Sequence, residues 1–174
     1  DVGSRTFDWL VTRGMRVVPN MSDSVTRGVS DILRHIADTV GARINEYFRD
    51  LDAVDRALRS GQILRLNQQD HDLKKFDAAI RKIADQALDF VLARLDGPQD
   101  LEHIILVGGG ACLYTKAVRQ RFPKHRITEV ADPMYTNVKG FQLLGEQHVR
   151  ERPELFGAKG GSVASEASEP AASQ

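Results

Sequence analysis

The sequence predicts an α/β domain with helices on both faces of its strands. Three observations carry that expectation: a glycine-containing hairpin at the start, two long stretches of helical apolar spacing in the middle, and an apolar run, Ile104–Val107, that opens through Gly108-Gly109-Gly110 into further helical spacing. With 174 residues, 41% apolar and 28% charged, the chain is long enough for one domain with its own core, and its composition fits neither a fibre nor a membrane protein.

Thr6–Leu10 runs on through Val11-Thr12-Arg13-Gly14 to Met15-Arg16-Val17-Val18, which reads as two short strands around a glycine turn, ended by Pro19 and Asn20. From Ser22 onward, Val25, Val29, Ile32, Leu33, Ile36, Val40 and Ile44 recur every three or four positions. That spacing predicts a long amphipathic helix with Ser22 or Asp23 as its N-cap. Tyr47–Ser60 holds a weaker helical pattern closed by Gly61, and Gln62–Leu66 alternates as a short strand does. Asp70–Leu95 sets Leu73, Phe76, Ile80, Ala84, Leu88 and Val91 on one stripe and stops at Gly97-Pro98, a second long helix.

Ile104–Val107 reads as a strand buried on both faces, Ala111–Phe122 as a helix, and Ile127–Val130 as another short strand. Asp132-Pro133 makes the turn into a last helix, Tyr135–Val149, in which Gly140 is expected to permit tight packing. Gly157–Gln174 shifts to Gly, Ala, Ser and Glu, the composition of a tail with too little apolar surface to order itself. The expected organisation is therefore a domain over 1–150, a helical small subdomain over about 20–70, and a disordered tail over 157–174.

Twenty-four basic and twenty-four acidic residues cancel, so no uniform field holds a polyanion, and any link to DNA is expected to run through an adaptor protein. No run approaches the ~20 apolar residues that span a bilayer, and the first residues lack the basic-then-apolar order of a signal peptide, so the sequence reads as cytosolic. Cys112 is the single cysteine, which excludes an internal disulfide and a cysteine-cluster metal site. The sequence opens at Asp1 inside what reads as a hairpin, and it is expected to be a piece of a longer polypeptide.

Two segments carry chemistry. Asp1-Val2-Gly3-Ser4-Arg5-Thr6-Phe7-Asp8 has the form D-x-G-x-x-T-x-D before a strand. Gly3 permits close main-chain approach to an anion, successive N–H groups around it can form an anion-binding concavity, Thr6 adds a hydroxyl, and Asp1 supplies a hard oxygen ligand. Asp, Gly and Thr are also common turn residues, so a plain hairpin stands beside that reading. The second segment is the apolar strand that opens through Gly108, Gly109 and Gly110 onto a helix N-terminus, where backbone can approach a nucleotide closely. A dinucleotide fingerprint fails because Leu113 stands where a third Gly or Ala is needed, and a Walker-type loop fails because no G-K-[ST] occurs. The triplet reads equally as a tight strand-to-helix packing turn.

The order of D-x-G-x-x-T-x-D, then two long helices, then the VGGGA turn, then Asp132-Pro133 and Asn137-Val138-Lys139-Gly140-Phe141, resembles the second half of the actin-like and heat-shock-chaperone ATPase fold, ribonuclease-H-like, with a mixed sheet flanked by helices and a helical small subdomain. Asn20–Val29, the VGGGA turn and Asn137–Phe141 are most similar to plasmid-segregation ParM/StbA proteins and, among plasmid relatives, to the PRTRC-system protein D family. The resemblance covers Asp1 to Glu146.

It implies ATP and Mg²⁺ as cofactors, with Asp1 near magnesium (through water) and the hydrolytic water, Gly3, Ser4, Arg5 and Thr6 along the β- and γ-phosphates, and Gly108, Gly109 and Gly110 facing adenosine. It also implies self-association into filaments and an adaptor to plasmid DNA. Ser4 stands where many relatives have a second glycine, and Arg5 puts a bulky cation beside phosphate. The family's first phosphate loop is not in the sequence, so ATP hydrolysis is expected of the intact parent and not of this chain alone.

A small-molecule kinase of the same fold and a chaperone-like or structural interaction module are the alternatives. The five histidines, His35, His71, His103, His125 and His148, have no metal-ligand spacing and read as solvated or capping. Lys74-Lys75 and Arg81-Lys82, balanced by Asp70, Asp72, Asp77 and Asp85, read as a solvated helix face. Phe7, Trp9, Phe76, Phe90 and Phe122 read as core, and Tyr114 either as core or as a ring that stacks on adenine.

Overall fold

The computed structural model describes residues 1–95, 97 and 101–152, which divide into two units, one up to residue 137 and one from residue 138. The tail expected over 157–174 lies outside the described residues.

In the first unit, β2 (Thr12–Arg13) and β3 (Arg16–Val17) form the expected hairpin around Gly14. The preceding strand β1 (Phe7–Trp9) pairs antiparallel with β4 (Asp23–Val25), Phe7 opposite Val25 and Trp9 opposite Asp23. β4 corrects the helix expected from Ser22. Val25 stands four residues before Val29 and so fits a helical stripe, but its backbone is used by β1, a pairing that local spacing does not encode. Ser22, expected as an N-cap, instead accepts from the Val11 N–H and donates to the Val18 carbonyl, both at 2.9 Å. The indole of Trp9 donates to the Met21 carbonyl at 2.9 Å, fixing the return of the chain.

α1 (Val29–Ile44) buries Val29, Ile32, Leu33, Ile36, Ala37 and Val40 and ends on Asn45 in the left-handed region. α2 (Leu51–Ser60) is capped by Asp50, whose carboxylate accepts from the Ala53 N–H at 2.9 Å, and closes on Gly61 as expected. β5 (Leu64–Leu66) then turns through Asn67 and Gln68, both at positive φ, into β6 (Gln69–His71). That two-residue turn matches strand twist, but its usual second residue is Gly. Gln68 conceals it, and the helix expected from Asp70 begins only at α3 (Asp77–Arg94), after a 3-10 turn over Leu73–Phe76.

α3 buries Ile80, Ala84, Ala87, Leu88 and Val91 against α4 (Ala111–Arg121), which contributes Ala111, Tyr114, Ala117 and Val118. Each large aliphatic buried there contributes about 1.5–3 kcal/mol relative to exposure. Two of the acids expected to balance the lysines and arginines of this helix reach α4 instead: Asp77 meets Lys116 at 3.4 Å and Asp85 meets Arg121 at 3.2 Å, and Arg121 also bonds Asp89 at 2.7 Å. Phe90, expected in the core, is exposed, and His71, expected at the surface, is buried on β6.

β7 (His103–Leu106) pairs in parallel with β8 (Arg126–Glu129). It is not buried on both faces: Leu106 is buried, but Ile105 is 55% exposed, because alternate side chains point to opposite faces and the Ile105 face borders an open cleft of about 770 Å³.

α5 (Thr136–Glu151) begins at the end of the first unit. Within the second unit, residues 138–151 of this helix leave Val138, Phe141, Leu143 and Leu144 exposed. A Cβ at Gly140 would meet no atom within 4 Å, so the tight packing expected at that glycine is not present among the described residues. No described helix is long and apolar enough to cross a membrane.

Candidate functional site

The octet at the start folds as a small hairpin. Asp1 and Asp8 bond reciprocally through their main chains at 2.7 and 2.9 Å, Val2 bridges Phe7, and the Gly3 N–H donates to the Thr6 carbonyl at 2.9 Å. Ser4 and Arg5 are left as an exposed two-residue tip. The tip sits on the start of α1, where the Val29 and Ser30 N–H groups donate to the Gly3 and Ser4 carbonyls at 3.1 and 2.8 Å. Those carbonyls satisfy donors that a helix start otherwise leaves open. Gly28 makes the seat possible: a Cβ there would lie 2.5 Å from the Ser4 carbonyl oxygen. Ser4 and Ser30 hydroxyls meet at 3.0 Å. The Thr6 hydroxyl donates to the Asp8 carboxylate at 2.9 Å, and the Ser24 hydroxyl binds the same carboxylate from β4.

Val2 joins this hairpin to the glycine turn. Its N–H donates to the Val107 carbonyl at 2.8 Å and its carbonyl accepts from the Gly110 N–H at 2.9 Å. Gly108 adopts φ +91°, and a Cβ there would lie 2.1 Å from Asp1 Oδ1 and 2.6 Å from the Val2 backbone N and O. Only glycine fits that combination of conformation and approach. The Gly108 N–H donates to the Pro133 carbonyl at 2.8 Å, which brings the turn after β8 onto the same place, and there the Asn137 side-chain amide donates to Asp1 Oδ2 at 2.6 Å.

The structure thus brings Asp1 against Gly108 and Val2 against Gly110, seats Gly3 and Ser4 on α1, and leaves Arg5 exposed. Gly109 has open space on its Cβ side, with Met134 Cε nearest at 3.7 Å. The open cleft beside β7 is lined by Trp9, Leu10, Leu88, Ile104 and Phe122; of the candidate residues it includes Asp1 and none of the glycine turn. Asp1 joins the candidate surface to that cleft.

Two further residues belong to this surface. Arg59 of α2 donates to the Gly109 carbonyl at 2.8 Å while its Nε bonds Asp55 at 2.7 Å, and that bond raises the guanidinium pKa further above its ordinary value. The Asp55–Arg59 spacing on one helix is legible in the sequence, but its reach to Gly109 is not. Asn137 stood in the sequence as part of a motif without a role. Tyr114, one of two readings for an adenine platform, is a core residue: it is fully buried, stacks on Phe7 with ring centroids 5.4 Å apart, and donates to the Arg27 carbonyl at 2.8 Å. Burial, with the nearby Asp31 carboxylate, pushes its phenol pKa up to about 12.

The sequence model of the family described as "Archaeal actin homologue MreB-like, C-terminal" matches residues 1–120. The chain belongs to this actin-homologue family. Among solved structures, this actin-homologue domain superposes on Ta0583, an archaeal actin homologue, with a TM-score of 0.76 at 22% identity, covering 84% of this chain and 47% of that one. A 15-stranded ParM filament from Clostridium botulinum follows at 0.69 and 17% identity, covering 84% and 44%, and Bacillus thuringiensis ParM with ATP at 0.61 and 14%, covering 85% and 46%. Identities this low establish the fold, which is the C-terminal half of an α/β actin-type ATPase. The chain spans a little under half the length of these structures. No curated protein matches it.

Proposed function

We propose that the chain is the nucleotide-binding half of an actin-like, filament-forming ATPase, and that the intact protein acts in plasmid partition in the bacterial cytoplasm through an adaptor protein that holds the DNA. The observation that carries the nucleotide reading is the seating of the Asp1 carboxylate on Gly108: the two ends of the sequence pattern meet at one surface. In this reading the turn of Gly108, Gly109 and Gly110 faces adenosine, with Gly109 open to close approach and Gly108 and Gly110 packed on Asp1, Val2 and Val29. The backbone of the exposed Ser4 and Arg5, with Gly3 behind it, and the Arg5 guanidinium take the β- and γ-phosphates, and Thr6 lines them once its hydroxyl turns away from Asp8.

The residues fit magnesium through one carboxylate. No group of three His, Cys, Asp or Glu among the described residues forms a cage. That suits an ion held by phosphates and waters with one carboxylate, here Asp1, behind a water. When bound, the ion neutralises charge on the phosphates. Asp1 supplies an acceptor for a water at that place, and the rest of the chain orients it.

Relatives support the reading in their own terms: Ta0583 has been solved with ADP, and Clostridium botulinum ParM as a filament. The 174-residue chain alone is expected not to hydrolyse ATP, since it spans a little under half the length of the actin-type structures it matches. The test is sedimentation of the full-length protein. With ATP and magnesium it is expected to pellet as filaments and without nucleotide to remain in the supernatant; a monomer at high concentration under both conditions would refute the filament reading, and no ATP binding by calorimetry would refute the nucleotide reading.

A further inference from the structure

We infer that Asn137 is the positioning residue for Asp1. The inference rests on the nucleotide reading above and assigns a role to a residue which that reading leaves unused. The Asn137 amide nitrogen lies 2.6 Å from Asp1 Oδ2. A carboxylate only accepts, so the amide must present its NH₂ group, and its orientation is fixed by chemistry. The other oxygen, Oδ1, lies over Gly108, where even a Cβ would come within 2.1 Å. The carboxylate is therefore held at Oδ2 by an amide donor, while Oδ1 lies beside a glycine that has no side chain to displace it.

Asn137 is itself held. Pro133 accepts from the Gly108 N–H at 2.8 Å, and Asp132 accepts from the Tyr135 N–H and from the Thr136 hydroxyl, both at 3.1 Å. The turn from Asp132 to Thr136 is thus closed on itself and anchored to the glycine turn at Pro133, and the residue after it falls on Asp1. One N–H···O bond to Oδ2 uses one of about four lone-pair sites on the carboxylate, leaving Oδ1 and the rest of Oδ2 to accept from a water. A carboxylate so restrained keeps one orientation without surrendering its acceptor capacity. Free rotation about its side-chain bonds would spread it over several rotamers, and misplacement of about 1 Å in such a group lowers a rate by about a hundredfold.

The test is a double-mutant cycle in the full-length protein: Asp1→Ala, Asn137→Ala and the double variant, each measured for ATP hydrolysis, for ATP affinity by calorimetry, and for thermal midpoint without nucleotide. Asn137→Ala is expected to lower kcat about tenfold with the ATP dissociation constant changed less than about twofold, and to lower kcat no further when Asp1 is already Ala. Losses of kcat that multiply in the double variant, or an unchanged kcat in Asn137→Ala, overturn the inference. If the wild type neither binds nor hydrolyses ATP, the nucleotide reading fails by itself, and the midpoints decide the pairing: losses that overlap in the double variant keep it, and losses that simply add overturn it.

Discussion

Gly108→Ala isolates the joint on which the candidate site is built. The substitution forces an L-residue to φ +91°, in the left-handed half of conformational space, at a cost of about 1–2 kcal/mol. The new Cβ would also lie 2.1 Å from Asp1 Oδ1 and 2.6 Å from Val2 N and O. The carboxylate can move aside at the loss of its Asn137 bond, but the Val2 backbone cannot, because its N–H and carbonyl are bonded to Val107 and Gly110. Overpacking against fixed backbone costs about 1–3 kcal/mol more. The sum, about 2–5 kcal/mol, corresponds in a chain of this size to a fall of roughly 5–15 °C in Tm. Gly109→Ala is the control, since its Cβ would meet only Met134 Cε at 3.7 Å, and its Tm is expected within about 1 °C of wild type. Both are read by differential scanning calorimetry. A Gly108→Ala protein that melts within about 2 °C of wild type would refute the argument that the hairpin and the glycine turn are locked backbone to backbone.

Gly109→Val in the full-length protein is expected to leave Tm within about 2 °C and to weaken ATP binding at least tenfold, read by calorimetry, because its Cβ direction is open in the fold but lies on the proposed adenosine face; unaltered affinity would remove the triplet from the site. Gln68→Gly relieves a non-glycine residue at φ 62° in the β5–β6 turn and is expected to stabilise the chain by about 0.5–1 kcal/mol in urea denaturation, a destabilised variant being the contrary result. Tyr114 carries a pH signature, because its pKa in the folded protein, about 12, lies above the usual 10. Between those values the folded state holds the proton more tightly than the unfolded one, so the stabilisation is complete below pH 10 and is lost as pH rises toward 12. The loss at pH 11 is about 1.4 kcal/mol. The stability difference between wild type and Tyr114→Phe should therefore shrink by about that amount from pH 8 to pH 11, and a constant difference would contradict a buried, neutral phenol.

What the sequence determined by itself is what short range encodes. The stripes of α1, α3 and α4, the Gly14 turn, the Gly61 stop and the strand–glycine–helix order at Gly108 all follow from spacing and from backbone conformations that few residues adopt. The family was legible in the same way, because the order of its motifs along the chain survives where each motif alone is ambiguous. Tertiary structure alone decided which strand claims a segment with two possible partners. Val25 fits a helix by spacing and a strand by pairing, and β1 made the choice. It also decided what lies across a joint: Arg59 on Gly109, Asn137 on Asp1, Tyr114 under Phe7 and not under a base. Such contacts join residues far apart in sequence, and their free energy appears only when packing has already brought the backbones together. The octet Asp1–Asp8 and the triplet Gly108–Gly110 read separately as a turn and a packing bend; seated on each other through Val2, they become one surface.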